Sequence, residues 1–350
     1  MLPYLGGQPP WFSFIVHPRT FDDLHDFAGS SIIAEHSSSE AEFRAKVLSL
    51  PPTVVGEMIF GFSPIRGELI SISRMPNQVM HLSGQRAIVE AVKLAASRGS
   101  QVVGLGALTA PATHGGLSLL DGLPKGLTVT TGNALTAAVA RQNVMEAIAA
   151  LNRQISPRVA VVGCTGSVGV AASRLLAQAG LDLVLVGRSA HRVEAELPDL
   201  VQRFEVSRDG LGTARCDIVL LLTGDRTARL TPELVKPGAV VIDFAQPANI
   251  ERAAYAAFAS RGVRVVQGGI VKIPNYYCTA ELGLPDRRHS FACLAETYLF
   301  AREGIREHSV GRASTEIALH LEKVAARHGV TARPLGLRPA GAPLAAVIAS

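Results

Sequence analysis

The stretch Arg158-Val-Ala-Val-Val-Gly-Cys-Thr-Gly-Ser-Val-Gly169, followed by an apolar run to Ala179 and then Leu183-Val-Leu-Val-Gly-Arg-Ser189, decides the fold. Val159–Val162 is a continuous apolar run rich in β-branched residues, the composition of a strand buried on both faces. Gly163, Gly166 and Gly169 follow at the spacing G-x-x-G-x-x-G. Val170 to Ala179 carries apolar residues at helical spacing and Gly180 ends the run. Leu183–Val186 reads as a second buried strand. Strand, glycine turn, helix and strand form the opening of a βαβ unit.

That turn suits a dinucleotide. Glycines let the backbone bend tightly and approach a pyrophosphate, and a helix N-terminus offers N–H groups and partial positive charge to phosphates. The alternative is an ordinary tight turn with no ligand. The cofactor-binding positions expected here are Gly163, Thr165, Gly166, Ser167, Val168 and Gly169. An NAD site places Asp or Glu at the end of the second strand for the ribose 2′-hydroxyl. Here that position reads Gly187-Arg188-Ser189, and a guanidinium pairs with a 2′-phosphate. Arg188 and Ser189 therefore point to NADPH rather than NADH.

The same alternation continues downstream. Cys216–Leu222 and Ala239–Ile242 read as strands, Ala248–Ser260 as a helix and Val263–Val266 as a last strand. Ligands of such sheets lie beyond the carboxyl ends of the strands, which brings in Thr223, Asp243, Gly268 and Gly269. Upstream, strands are expected at Trp11–Val16, Thr53–Phe62, Glu68–Ser73, Gln101–Leu105 and Leu127–Thr131. Helical patterns cover Phe21–Phe27, Ser39–Leu48, Pro76–Arg98 and the run from Gly132-Asn133 to Leu151. The fold class is α/β: a Rossmann-type doubly wound parallel sheet (156–270) between an N-terminal α/β substrate domain (1–155) and C-terminal helices (271–350). Lys272–Leu284 has loop composition, Pro285-Asp286 is a helix start, and a further helix runs over Thr315–His328. The tail after Arg333 has the Pro, Gly and Ala content of a flexible segment.

The 350 residues are 48% hydrophobic and 18% charged, with a formal net charge of +5. This is a globular chain, and its scattered basic residues argue against nucleic acid as a partner. Cys164, Cys216, Cys278 and Cys293 are far apart and lack metal-ligand spacing, so no metal is expected. They read as free thiols of a reducing, cytoplasmic compartment. The sequence reads without a signal peptide or an apolar run long enough to span a bilayer, so neither is expected.

Two groups could carry chemistry. Cys293 lies early in a helical pattern, where a thiol is expected to have a lowered pKa and to act as a nucleophile. A core cysteine on an apolar face is the competing reading. Thr131-Gly132-Asn133, with Thr136, can cap the helix that it opens or hold a substrate oxygen. His289 and His114 have no assigned role.

These residues resemble a known family, the long-chain acyl-[acyl-carrier-protein] reductases of cyanobacterial type, collinearly over about residues 12–332. The anchors are Val103-Gly104-Leu105-Gly106 with Thr109, Thr130-Thr131-Gly132-Asn133 with Thr136, and Val161–Gly169. Others are Gly268-Gly269-Ile270-Val271, Phe291-Ala292-Cys293-Leu294-Ala295-Glu296, Gly311-Arg312 and Arg327-His328-Gly329. The resemblance implies reduction of a fatty acyl thioester to a fatty aldehyde with NADPH. It implies an acyl group carried on Cys293, with Thr131 and Asn133 orienting the carbonyl. It also implies acyl carrier protein or coenzyme A as the donor. An aldehyde-consuming enzyme and a peripheral membrane surface are further partners that a fatty product allows. Residues 272–278 and 287–290 depart from the family pattern. Two other readings stand beside it: a shikimate-type two-domain NADP-dependent dehydrogenase without covalent catalysis, and a non-catalytic NADP-binding protein.

Overall fold

The computed structural model describes residues 12–26, 29–61, 63–151, 157–208, 210–224, 230–284 and 286–337. The chain forms two compact units, one of residues 1–136 with 270–331 and the other of residues 137–269 with 332–350.

The first unit opens with β1 (Phe12–Val16), α1 (Ser30–Glu35), α2 (Glu40–Ser49), β2 (Thr53–Phe60) and β3 (Arg66–Ser71). It continues through α3 (Pro76–Val79), α4 (Leu82–Ser97), β4 (Val102–Leu105), α5 (Thr109–Ala112) and β5 (Thr128–Thr130). α6 (Asn133–Leu151) begins in this unit and runs into the second. The single helical pattern expected over Pro76–Arg98 is broken between Val79 and Leu82. A Cβ on Gly84 would stand 2.3 Å from the Val79 carbonyl oxygen, so Gly84 is what lets α4 start against the end of α3.

The second unit is β6 (Arg158–Val162), α7 (Ser167–Gln178), β7 (Asp182–Val186), α8 (Ala190–Glu196), β8 (Glu205–Ser207), β9 (Ile218–Leu221), β10 (Val240–Asp243), α9 (Tyr255–Ala259) and β11 (Arg264–Gln267). Its six strands are all parallel in the order β8-β7-β6-β9-β10-β11. By position in the unit this is 3-2-1-4-5-6, the order of a dinucleotide-binding sheet, and it confirms the Rossmann-type α/β class. The inner strands β6, β7, β9 and β10 are buried along most of their length, as their apolar runs require, while the edge strands β8 and β11 are half-buried. The expected helix over Ala248–Ser260 is shorter, starting at Tyr255. The Asp243 carboxylate accepts from the N–H groups of Ala245, Asn249 and Ile250 at 2.8–3.0 Å and holds that loop out of helix.

The chain then returns to the first unit with β12 (Ile270–Lys272), β13 (Tyr276–Cys278), β14 (His289–Phe291), α10 (Ala292–Glu303) and α11 (Thr315–Arg327). The segment after 270 is therefore not a separate body. β13 pairs antiparallel with β2, extending the first sheet to β13-β2-β3-β1-β4-β5, in which β3, β1, β4 and β5 are parallel. β13 lies where loop was expected, because its partner strand is more than two hundred residues earlier. The helix expected from Pro285-Asp286 begins only at Ala292, after β14, which pairs with β12; Pro285 lies outside the described residues. So do Asp225 and the tail from 338.

α10 is apolar nearly all round and packs on β4 and β1. Its Tyr298 stacks on Phe60, with ring centroids 4.3 Å apart. Gly104 on β4 makes the approach possible: a Cβ there would stand 2.1 Å from Thr297 Oγ1 and 2.4 Å from the Phe14 ring. Gly104→Ala is expected to overpack this contact and cost about 1–3 kcal/mol, read as a lowered midpoint in urea denaturation.

Candidate active site

In the first unit β1 is flanked by β3 and β4, so the chain reverses direction across the sheet at β1. Ligands of such sheets bind at the carboxyl ends of the strands near this point. Buried His17, just past β1, joins the exits of two strands. The Leu108 N–H donates to its Nε2 at 3.3 Å, so the ring proton is on Nδ1, 2.8 Å from the Pro18 carbonyl. Burial lowers its pKa and keeps the ring neutral.

Beyond β5 comes Thr131-Gly132-Asn133, the start of α6. Gly132 adopts φ +73°, and a Cβ on it would lie 2.2 Å from both Cα and Cβ of Cys293. The two motifs singled out in the sequence, 160 positions apart, are thus pressed together. Cys293 is half-buried and occupies the second position of α10. Thr131 Oγ1 donates to the Ser309 carbonyl at 3.2 Å, and its N–H donates to the same oxygen at 2.9 Å. Thr136 Oγ1 donates to the Gly132 carbonyl at 2.6 Å. The hydroxyls of Thr131 and Thr136 thus serve the turn itself, and Asn133 is half-buried at the helix start.

The expected low pKa of Cys293 is overturned. Burial pushes the thiol up to about 12, and the nearby Glu296 charge adds to the rise; the Leu294 N–H works in the opposite direction. The partial charge of one helix end does not offset desolvation of a thiolate. His289 lies on β14, ahead of α10. His114 is exposed in a left-handed turn with φ +52°.

Glu296, one turn after Cys293, is a site residue that no spacing rule picked out. It is fully buried and accepts from Thr130 Oγ1, from Ser309 Oγ at 2.9 Å and from the Leu135 N–H at 2.8 Å. Burial raises its pKa against the pull of these bonds. Its signal was an acidic residue inside an otherwise apolar helix.

In the second unit, Gly163 (φ +87°) faces Thr223: a Cβ on Gly163 would stand 3.1 Å from Thr223 Cβ. A Cβ on Gly169 would stand 2.1 Å from the Gly163 carbonyl oxygen, so α7 can start only where it does with glycine there. Gly166 caps α7, and the first intrahelical bond is Val170 N–H to Gly166. The N–H groups of Ser167, Val168 and Gly169 precede that bond and form the donor end suited to a pyrophosphate. Thr165 is half-buried beside them and Arg188 is exposed after β7. Ser189 caps α8 through the Arg192 N–H at 3.3 Å.

Gly268 and Gly269 pack on the Phe244 ring, 2.1 and 3.0 Å from where their Cβ atoms would be. The Gly269 N–H donates to Asn143 Oδ1 at 3.2 Å. Asn143, on α6, is 1% exposed, and its Nδ2 has no partner among the described residues. A buried orphan donor beside the glycine pair fits a carbonyl acceptor on a bound cofactor. With the glycine cradle, it makes this unit suited to a nicotinamide dinucleotide.

Comparison with known proteins agrees. Residues 158–285 match the model of the semialdehyde dehydrogenase NAD-binding domain. This unit is thus a nicotinamide-dinucleotide-binding domain of the kind carried by oxidoreductases. The chain is similar to the aminotransferase PigE of Serratia sp. (strain ATCC 39006), with 28% identity over 259 residues. That match takes in 71% of this chain and 30% of PigE, so the chain spans under a third of that relative's length. Among solved structures, it overlaps a thermostable alcohol dehydrogenase from Pyrobaculum aerophilum at 19% identity and TM-score 0.33, covering 57% of this chain and 54% of that one. D-2-hydroxyisocaproate dehydrogenase overlaps at 14% identity and TM-score 0.33, covering 72% and 76%. Overlap at this level carries no argument about activity. No helix among the described residues is long and apolar enough to cross a membrane.

Because the Cys293 thiol is held near 12, its alkylation by iodoacetamide is expected to climb about tenfold per pH unit from pH 7 to 10 with no plateau. An ordinary cysteine levels off above about pH 9. Peptide mass analysis across pH, with Cys293→Ala as the blank, reads this.

Proposed function

We propose that this chain reduces a fatty acyl thioester to a fatty aldehyde with NADPH, through an acyl group carried on Cys293. The observation that carries the reading is the contact of the Gly132 turn with Cys293. It sets the turn that opens α6 against the start of α10, whose first N–H groups and partial positive charge suit a developing oxyanion on the acyl group.

The Cys293 sulfur attacks the thioester carbon, and the donor's pantetheine sulfur leaves. The thiol proton ends on that departing sulfur, which suits a cysteine that rests protonated. One thioester replaces another, so the step is nearly balanced. Asn133, at the start of α6, orients the carbonyl. A bound reduced nicotinamide supplies the hydride that takes the acyl carbon to the aldehyde level. Cys293 then departs from that carbon and recovers a proton.

In the second unit, Gly163 to Gly169 hold the pyrophosphate and Asn143 donates to the cofactor. Arg188 stands where an NAD site would carry an acidic residue and favours the 2′-phosphate. The acyl donor is acyl carrier protein or coenzyme A. The released aldehyde passes to an aldehyde-consuming enzyme, and a membrane surface is the natural source of so apolar a substrate.

Incubation with acyl-CoA in the absence of NADPH is expected to give an acyl adduct in the intact mass, lost in Cys293→Ala. An adduct that persists in that variant rejects the nucleophile. Turnover that survives the substitution favours the non-covalent shikimate-type dehydrogenase instead. Arg188→Ala is expected to weaken NADPH binding about tenfold or more and to leave NADH binding within twofold, as measured by fluorescence titration.

A further inference from the structure

We propose that Glu296 is a positioning residue for Cys293, holding the turn from Thr130 to Leu135 against the sulfur-bearing start of α10. The proposal rests on the acyl-enzyme reading above and goes beyond it, since that reading requires only the cysteine and the turn.

The argument starts from the direction of each hydrogen bond. The Gly132 N–H donates to Thr130 Oγ1 at 3.3 Å. That hydroxyl then gives its own proton to Glu296 Oε1. Ser309 Oγ donates to the same oxygen at 2.9 Å, and the Leu135 N–H donates to Oε2 at 2.8 Å. Both oxygens of Glu296 are thus acceptors, the pattern of an ionised carboxylate. None of these partners is a cation. The charge is met by the first turn of α6, whose unsatisfied N–H groups are what a buried anion needs.

The carboxylate therefore does for α6 what an N-cap side chain ordinarily does, but from another helix. Asn133 opens α6, and the group that takes the Leu135 N–H comes from α10. Cys293 and Glu296 are three positions apart and so share one face of α10. The Gly132 backbone is gripped between them: Cys293 touches it directly and Glu296 holds it through Thr130. Ser309 adds a third tie, since its N–H donates to the Val129 carbonyl while its own carbonyl receives the Thr131 N–H. A carboxylate needed only to fill a core would be costly to bury without a cation. Its bonds from Thr130 and Leu135 bracket the Gly132 turn that meets Cys293, and Ser309, which gives the third, is itself tied to that turn.

Glu296 also loads the sulfur with a nearby negative charge, one of the causes that keep the thiol protonated. Position and charge can be separated by comparing two reactions of the same sulfur. Acyl-enzyme formation from decanoyl-CoA needs the turn in place, whereas alkylation by iodoacetamide needs only an accessible thiol.

Glu296→Ala is expected to slow acyl-enzyme formation at least fiftyfold by intact mass, while alkylation stays within fivefold of the parent or quickens. Glu296→Gln keeps the size and an acceptor for Leu135. It is expected to recover at least a tenth of the parental acylation rate and to move the alkylation profile to lower pH. Acylation of Glu296→Ala within twofold of the parent overturns the proposal. A parallel fall of both reactions in both variants also overturns it, because that marks a role in folding alone. If Glu296→Ala does not accumulate as folded protein, Glu296→Gln decides: an alkylation profile displaced to lower pH supports the assignment and an unmoved one rejects it. A parent enzyme that is never acylated removes the thioester reading, and the alkylation profile of Glu296→Gln then judges Glu296 by itself.

Discussion

Cys293 occupies the space where a side chain on Gly132 would be. The 2.2 Å separation between its Cα and the Cβ that Gly132 lacks leaves no room for any other residue type. The left-handed φ of +73° sets the same requirement from the backbone side. Several other features of the first unit converge on this contact. The parallel strands bring Thr130 to the sheet edge, Gly104 lets α10 lie on β4, and the segment at Ser309 runs back along β5 to tie the turn. Cys293 is thereby held against backbone rather than against long side chains, which is how a position gains rigidity.

The second unit meets a different demand with the same material. Its glycines remove side chains where the backbone must approach a phosphate, at the end of β6 and the start of α7. Gly169 lies against Gly163, and Gly163 against Thr223, so a side chain on Gly169 would run into the Gly163 carbonyl. Asn143 and Ser173 each keep a buried polar atom without a partner among the described residues. Asn143 Oδ1 is used by Gly269, which fixes the amide plane and leaves Nδ2 as the donor to be filled.

Buried carboxylates organise loops in both units. Glu68 accepts from Ser13 at 3.1 Å and takes both its oxygens to Arg98 Nε at 2.7–2.9 Å, tying β3 and β1 to the end of α4. Asp243 gathers three backbone N–H groups after β10. Glu296 gathers two hydroxyls and one N–H. Desolvation raises the pKa of all three. Each stays where it is because several donors converge on it.

The dinucleotide unit could be read almost whole in the sequence, because its signals are local. A buried parallel strand is an apolar run, and a phosphate turn is glycines at fixed spacing. Both are contained in a few dozen residues from Arg158 to Ser189. Cys293 and Thr131-Gly132-Asn133 could also be singled out in the sequence, though not their contact. What only the tertiary structure decided involves partners far apart in the chain. β13 is a strand because β2 offers it an edge, and Glu296 is tolerated because Thr130, Leu135 and Ser309 turn donors toward it. The Cys293 thiol is raised rather than lowered because burial outweighs the helix end, and burial is a property of the packed chain. Local composition fixes backbone conformation within an element. The protonation of a buried group depends on every element that surrounds it, and no stretch of sequence contains them all.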